Sequence, residues 1–330
     1  MPPSTHRSPP RPLLYLALVL LFVVWSNSFH AIAYFRHHLG LPALTLVTLR
    51  YGVVAPFCLL WCLWRGREFR RLMRDAWARV VLIGLLLVPA YNLALNWGQG
   101  RVPPATASLI ISMNPVATFL FALAFLGERA RWSKILGLVI SVLGVYLLVS
   151  AQYQSFGRGY LRAALVVLMA PISWALGTVT GKTLTDATDP VLLTFAATGL
   201  ASLPFFILLL AGTGGVHQVI AQLNWVGWAA WMHLSVLCTL VGFAVWFWAL
   251  RYLAASSVAA FVFLNPPLTS LFGVVWGTEA FHWQTALFGT VTLLGVALTA
   301  GLLWPSGDHA AAEGWEKTAS LLLKSRRHRS

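Results

Sequence analysis

Residues 94–148, ALNWGQGRVPPATASLIISMNPVATFLFALAFLGERARWSKILGLVISVLGVYLL, decide how this chain is organised. A second copy begins at Val245 and follows without a gap, so that Asn114-Pro115 falls on Asn265-Pro266 and Glu128 on Glu279. In the same register Trp97 falls on Trp248, Trp132 on Trp283 and Gly144 on Gly295. In each copy an apolar run of about membrane length carries Asn-Pro near its middle and ends at a glutamate. A polar hinge and a second apolar run follow. Composition alone does not bring two tryptophans, a glycine, an Asn-Pro pair and a glutamate into one register. The chain reads as a duplicated membrane unit.

The whole sequence agrees with that reading. Of its 330 residues 58% are hydrophobic and 10% charged, and the mean hydropathy is +0.75; a soluble domain carries roughly 25% charged residues. Apolar runs of spanning length occur at 13–33, 43–63, 80–98, 104–126, 134–151, 161–181, 191–211, 225–248, 255–277 and 284–304. The predicted fold class is therefore an all-α integral membrane protein with ten transmembrane helices in two five-helix repeats, 13–151 and 161–304. Residues 1–12 read as a disordered cytoplasmic start and 305–330 as a basic cytoplasmic tail. The Ala31-Ile32-Ala33 triplet resembles a signal-peptidase site, but nine apolar spans follow it, and span one is kept as a membrane helix. The three cysteines, Cys58, Cys62 and Cys238, all fall in spans, and neither a disulfide framework nor a metal spacing is visible. No cofactor is expected.

The net charge of +14 raises the question of nucleic acid, and its placement answers it. With the N-terminus in the cytoplasm, that side collects Arg7, Arg11, Arg65, Arg67, Arg70, Arg71, Arg74, Arg79, Arg129, Arg131, Lys134, Lys182, Arg251 and the five basic residues of the tail. The opposite side holds Arg36, Arg101, Arg158 and Arg162, and Arg50 lies within span two. This is the positive-inside pattern, so the basic patches meet anionic lipid headgroups rather than nucleic acid. Five spans per half is an odd number, which inverts the second copy relative to the first. Its hinge reads Ala280, His282 and Thr285 where the first has Arg129, Arg131 and Lys134. Likewise 212–224 carries no Lys or Arg where the equivalent loop carries six Arg. Inverted repeats of this kind are a transporter architecture with the solute site near the midplane.

Polar residues inside the spans are the candidates for that site. Trp25 and Asn27 in span one, and Trp174 at the equivalent part of span six, read equally as cavity wall or helix packing. Arg50 is a costly intramembrane charge, either a receptor for a solute carboxylate or an anchor for backbone carbonyls. Asn92 and Asn96 share one helix face at i, i+4 spacing and face either the cavity or a neighbouring helix. Pro115 removes the hydrogen bond to the Ile111 carbonyl and Pro266 that to Val262, so each helix breaks near its middle. Asn114 and Asn265, beside those breaks, are the best joint expectation for pocket or gate. Glu128 and Glu279 lie at helix ends, where capping or binding a hinge fits better than proton transfer. Trp246 lies deep in the aromatic span eight, and the lone His233 reads first as a packed residue and second as a proton carrier. Gly137 and Ser141 form a small-xxx-small step for close helix contact, within or between protomers. The stretch 177–183, GTVTGKT, is one residue short of a phosphate loop and no strand precedes it.

The pattern A-L-x-W/Y…A-x-x-A-S-L-I…P…F-L-x-E-R…W…G…G-V, present here as ALNWGQGRVPPATASLIISMNPVATFLFALAFLGER followed by Trp132, Gly137 and Gly144, resembles the EamA-type repeat of the drug/metabolite transporter superfamily. A weaker copy covers Leu250–Glu279, departing at Thr278-Glu279-Ala280, where the basic residue after Glu is missing. The resemblance implies a ten-helix inner-membrane exporter of small metabolites, amino acids among them, or of drugs. It also implies a cavity walled by helices one, three, four, six, eight and nine, which favours Trp25, Asn27, Asn92, Asn96, Asn114, Trp174, Trp246 and Asn265 as lining.

The resulting expectation is a secondary transporter, not an enzyme, working by alternating access on neutral or zwitterionic solutes. A multidrug permease or a channel is the alternative. All nine Asp and Glu lie in loops, tails or helix ends, which makes the cavity a poor trap for an organic cation. A small-molecule solute and membrane lipids are the expected partners, with the protein a monomer or homodimer.

Overall fold

The structure is a computed structural model, and it describes residues 9–102, 104–150, 160–185, 187–278, 283–299 and 303. Among these residues every regular element is helical. Eight helices are long and apolar enough to cross a membrane: α1 (Arg11–His38), α2 (Ala43–Trp64), α3 (Gly66–Gln99), α4 (Ala107–Phe125), α6 (Arg162–Thr185), α7 (Pro190–Leu210), α8 (Trp225–Tyr252) and α9 (Ala255–Val275). Between them, α5 (Trp132–Ser150) and α10 (Trp283–Thr299) contain the shorter apolar stretches Trp132–Gly144 and Leu287–Thr299.

Local chemistry sets the boundaries. Asp189 caps α7 by accepting from the Val191 N–H at 2.8 Å, with Pro190 at the first helical position, where its missing N–H costs nothing. Asn224 caps α8 through the Gly227 N–H at 2.9 Å, and its Oδ1 also accepts from Tyr34 Oη at 3.1 Å, tying the start of α8 to the end of α1. The link between α7 and α8 turns through Gly212, Gly214 and Gly215, all at positive φ, into a short surface helix, Val216–Gln222.

The six-arginine stretch between spans two and three, expected as a loop, is helical. It forms the first turns of α3, and the axis breaks at Ala76 (φ −147°, ψ 19°) before the apolar part begins. Its basic and apolar residues are segregated at helical spacing, with Leu72 buried and the arginines outward, which suits a helix lying along a headgroup layer. Arg65, at its start, pairs with Glu68 and also reaches Asp189 at 3.4 Å.

Packing follows a two-fold pattern. The most extensive contacts join α2 to α7 and α5 to α10. Others pair α1 with α9 and α8, α6 with α4 and α3, α7 with α3, and α2 with α8. Exchanging the first five helices for the last five maps this set onto itself. The α5–α10 seam shows the exchange atom by atom. A Cβ added at Gly144 would lie 2.6 Å from Thr292 Oγ1 and 2.8 Å from the Thr292 backbone nitrogen, and one at Gly295 would lie 2.5 Å from the backbone nitrogen of Ser141. Thr292 and Gly295 are the second-copy positions of Ser141 and Gly144, so these are one contact made twice by an antiparallel pair. Ser141 Oγ also donates to the Thr292 carbonyl at 3.4 Å. The small-residue step of the sequence thus joins the two halves of one chain. Without a hydrophobic force between helices in lipid, such close backbone approach is what holds them. The outward faces of α2, α5, α7 and α10 carry large apolar side chains such as Phe57, Leu143, Leu210 and Leu294, as a lipid-facing surface requires.

Candidate functional site

The two Asn-Pro breaks meet at the centre of the bundle. In α4 the helix Pro104–Ile111 stops, and a new one starts at Asn114. In α9 the helix Ala255–Ala260 tightens to a 3-10 turn at Phe261–Leu264 and restarts at Asn265. Each asparagine ties its broken helix to the opposite half. Asn114 Nδ2 donates to the Pro171 carbonyl of α6 at 3.1 Å, and Asn265 Oδ1 accepts from Ser26 Oγ of α1 at 3.0 Å.

Between these breaks lies a small cavity of about 40 Å³. Its lining comes from α1 (Phe22, Trp25, Ser28, Phe29, Ile32), α2 (Arg50), α3 (Tyr91, Leu95), α4 (Ile111, Asn114), α6 (Trp174), α8 (Phe243) and α9 (Val262, Asn265). One wall is aromatic. Trp25 and Trp174 meet edge to face at 5.2 Å, and Trp174 continues to Phe243 at 5.1 Å and Tyr91 at 5.0 Å. Trp25 is fixed by donation from Nε1 to the Cys238 carbonyl at 2.9 Å, an acceptor in the π-helical segment His233–Val241 of α8. The equivalent part of α3, Leu86–Ala90, is also π-helical, and its Leu86 carbonyl accepts from Ser173 Oγ of α6 at 2.6 Å. Such bulges are frequent at functional sites.

Arg50 supplies the one ionised group among the lining residues. It is 7% exposed, and it donates from Nε to Thr239 Oγ1 at 2.9 Å and from Nη1 to Asn92 Oδ1 at 3.2 Å. Asn92 is held in turn by two bonds from Nδ2, to the carbonyls of Leu87 and Val88. Those carbonyls lie in the π-helical turn around Pro89, where regular helix bonding is lost.

The sequence candidates therefore separate. Trp25, Arg50, Asn114, Trp174 and Asn265 face the cavity. Asn92 lies behind Arg50, and Asn96, whose Nδ2 donates to the Asn92 carbonyl at 2.7 Å, lies one turn further on. Trp246 packs behind Trp25 and Trp174 at 5.6 Å from each and donates to Thr178 Oγ1. Asn27 turns the other way, accepting from Trp276 Nε1 at 2.9 Å on the outer side of the bundle. His233 contacts the Val24 carbonyl at 3.1 Å, as a packed residue does. Pro115 is buried at the start of the second piece of α4, and Pro266 holds the same place in α9. Sequence reasoning passed over Phe29 and Leu95, whose only signal was helical spacing from Trp25 and Asn92; Ser28, Tyr91 and Phe243 stood out in spans one, three and eight without being singled out as lining.

Of the paired glutamates, Glu279 lies outside the described residues. Glu128, at the end of α4, meets Lys134 at 3.4 Å and binds Ser256 at the start of α9 through both its hydroxyl and its backbone N–H. Lys134 Nζ also donates to Ser256 Oγ at 2.9 Å. This cluster sits nine residues below Asn265, about 13 Å at 1.5 Å per residue.

A multi-pass helical membrane protein with two copies of one unit around a central, mostly apolar cavity belongs to the class that moves small solutes. The family follows from comparison: the EamA-like transporter family model matches residues 12–150 and again 161–301, and the chain belongs to that family. A protein of Streptantibioticus cattleyicolor described as a probable terminal-alkyne amino-acid exporter is 29% identical over 285 residues, covering 86% of this chain and 91% of its own length. The inner membrane transporter YedA of Escherichia coli K12 is 24% identical over 273 residues, 81% of this chain and 83% of its own. A probable amino-acid metabolite efflux pump of Salmonella typhimurium is 24% identical over 246 residues, 70% of this chain and 76% of its own. A solved crystal structure with a TM-score of 0.66 and 20% identity covers 88% of this chain and 96% of that one, and shares the fold.

Proposed function

We propose that this chain is a secondary transporter that exports small neutral or zwitterionic metabolites, such as amino acids, by alternating access through the cavity between the two halves. Its ten helices cross the inner membrane as two inverted five-helix repeats, with both termini in the cytoplasm. The observation that carries this reading is the cavity itself, bounded by the two helix breaks and by helices of both repeats. Its wall offers aromatic faces, two amides and one guanidinium, and no carboxylate among the described lining residues. An organic cation would enter without a counter-charge to offset its lost hydration. A solute with an apolar part and a hydrogen-bonding part matches both walls.

The antiparallel α5–α10 seam supports inversion. A two-fold exchange that makes the same contact twice across antiparallel helices has its axis perpendicular to them, hence in the membrane plane. The names of two relatives, an exporter and an efflux pump, support the direction. With no acid among the described lining residues, the carrier is facilitative or weakly coupled. A metabolite screen of the medium from overproducing and deletion cells should show a small set of solutes moving in opposite directions in the two strains. Each should then show saturable counterflow into proteoliposomes. Identical media from the two strains, or flux that never saturates, would remove the proposal.

A further inference from the structure

We propose that Arg50 is the receptor for a solute carboxylate, so that the preferred solute is a singly charged, largely apolar or aromatic organic acid whose amino group, where it has one, is dispensable. This rests on the transport reading above for the route the solute takes, and moves its solute class from neutral or zwitterionic towards anionic.

Arg50 is buried within the membrane helix α2 and forms part of the cavity wall. Its bonds to Thr239 and Asn92 use two of the five N–H donors of a guanidinium, and both partners are neutral. The described acids each sit at a helix end or surface with a partner of their own: Glu68 and Asp189 with Arg65, Asp75 with Arg74, Glu128 with Lys134. A buried cation without a counter-charge is unfavourable, and a carboxylate entering the cavity supplies one in a geometry suited to the guanidinium fork. The described lining residues carry one cation, so a dianion would leave a charge uncompensated.

Thr239 on α8 and Asn92 on α3 fix the direction of the guanidinium, which makes them positioning residues. Tyr51, whose ring lies 5.1 Å from the guanidinium carbon, adds a cation–π contact. The remainder of the solute meets Trp25, Trp174 and Phe243. An ammonium group would find aromatic faces there and no carboxylate among the described lining residues, which is why the amine adds little. A purely structural Arg50, pinning α2 to α3 and α8, would make no distinction between a carboxylate and its amide in the cavity.

Calorimetry on the purified full chain in nanodiscs, with 3-phenylpropionate, 3-phenylpropionamide, phenylalanine and phenethylamine as probes, tests this. The acid should bind at least about tenfold more tightly than its amide, the gain expected of a charge-assisted hydrogen bond. Phenylalanine should bind no more tightly than the acid, and phenethylamine should not bind. Arg50→Gln should lose the acid-over-amide preference while keeping amide binding, and Arg50→Lys should keep part of it, as a charge without a fork. If Arg50→Gln does not fold, the wild-type ratio and the lysine variant decide. Equal binding of acid and amide to the wild type, a ratio that survives Arg50→Gln, or no binding of any probe overturns the assignment. Counterflow of labelled probes separates the two readings. Acid bound through Arg50 but never carried sinks the transport reading alone, and acid and amide carried alike sinks the Arg50 assignment alone.

Discussion

The cluster of Glu128, Lys134 and Ser256 ties the end of α4 and the start of α5 to the start of α9, and its removal has a predictable cost. The two charged side chains are 13% and 9% exposed, so their attraction is little screened. Glu128→Ala leaves the Lys134 ammonium buried beside one hydroxyl. Breaking a buried pair from one side costs about 3–5 kcal/mol, and the remaining exposure argues for the lower figure. Lys134→Ala should cost less, about 1–3 kcal/mol, because Glu128 keeps the Ser256 hydroxyl and N–H. The double variant removes both charges together and should cost less than the sum of the single variants, with a coupling of about 0.5–3 kcal/mol. The assay is thermal unfolding of the three variants and the parent in matched nanodiscs. The order of midpoints should be parent, Lys134→Ala, then Glu128→Ala, with the double variant above the sum of the single losses. Three variants melting with the parent, or strictly additive losses, would show that the cluster contributes nothing as a unit.

Replacing either asparagine at the helix breaks, Asn114→Leu or Asn265→Leu, removes an amide worth about 0.5–1.5 kcal/mol in a hydrogen bond, so flux at matched expression should fall several-fold. Pro115→Ala and Pro266→Ala restore a helical bond and should slow turnover more than they weaken affinity, as flux and binding measured together will show. Gly144→Ala drives a methyl against the Thr292 backbone and should destabilise the fold by about 1–3 kcal/mol. Gly66→Ala, with nothing within 4 Å of the new carbon, should leave the unfolding midpoint within error. A reporter fused in 66–78 should read cytoplasmic and one in 212–224 periplasmic; both on one side would refute the inverted repeat.

Much of the fold is legible because lipid leaves few choices. A backbone in hydrocarbon must satisfy itself within a helix, so apolar run lengths mark the helices directly. The fixed register of Asn-Pro, Trp and Gly marks the two copies. A close helix contact by α5 was readable from Gly137 and Ser141, because small residues at helical spacing have one common use in a bilayer; that the partner is α10 of the same chain was not. Rotation about each helix axis was not readable. Asn92 and Asn27 look equally like cavity residues in the sequence, yet one holds Arg50 and the other meets Trp276, far along the chain. The direction a polar side chain faces depends on partners hundreds of residues away. The helical start of α3 escaped for a different reason: counting arginines by side of the membrane ignores the spacing that makes them one face of a helix.

Alternating access is tested most directly by the reach of one position from each side of the membrane. In a background with Cys58, Cys62 and Cys238 replaced by alanine, Ser28→Cys places a single thiol in the cavity wall. A membrane-impermeant maleimide is applied to right-side-out and inside-out vesicles, with and without Glu128→Ala to loosen the cluster at the proposed cytoplasmic end. Labelling from the cytoplasmic face should rise in the Glu128→Ala background while labelling from the outer face falls, because one cavity is shared between two states. Labelling that rises from both faces together, or that reaches the thiol from one face under every condition, would contradict it.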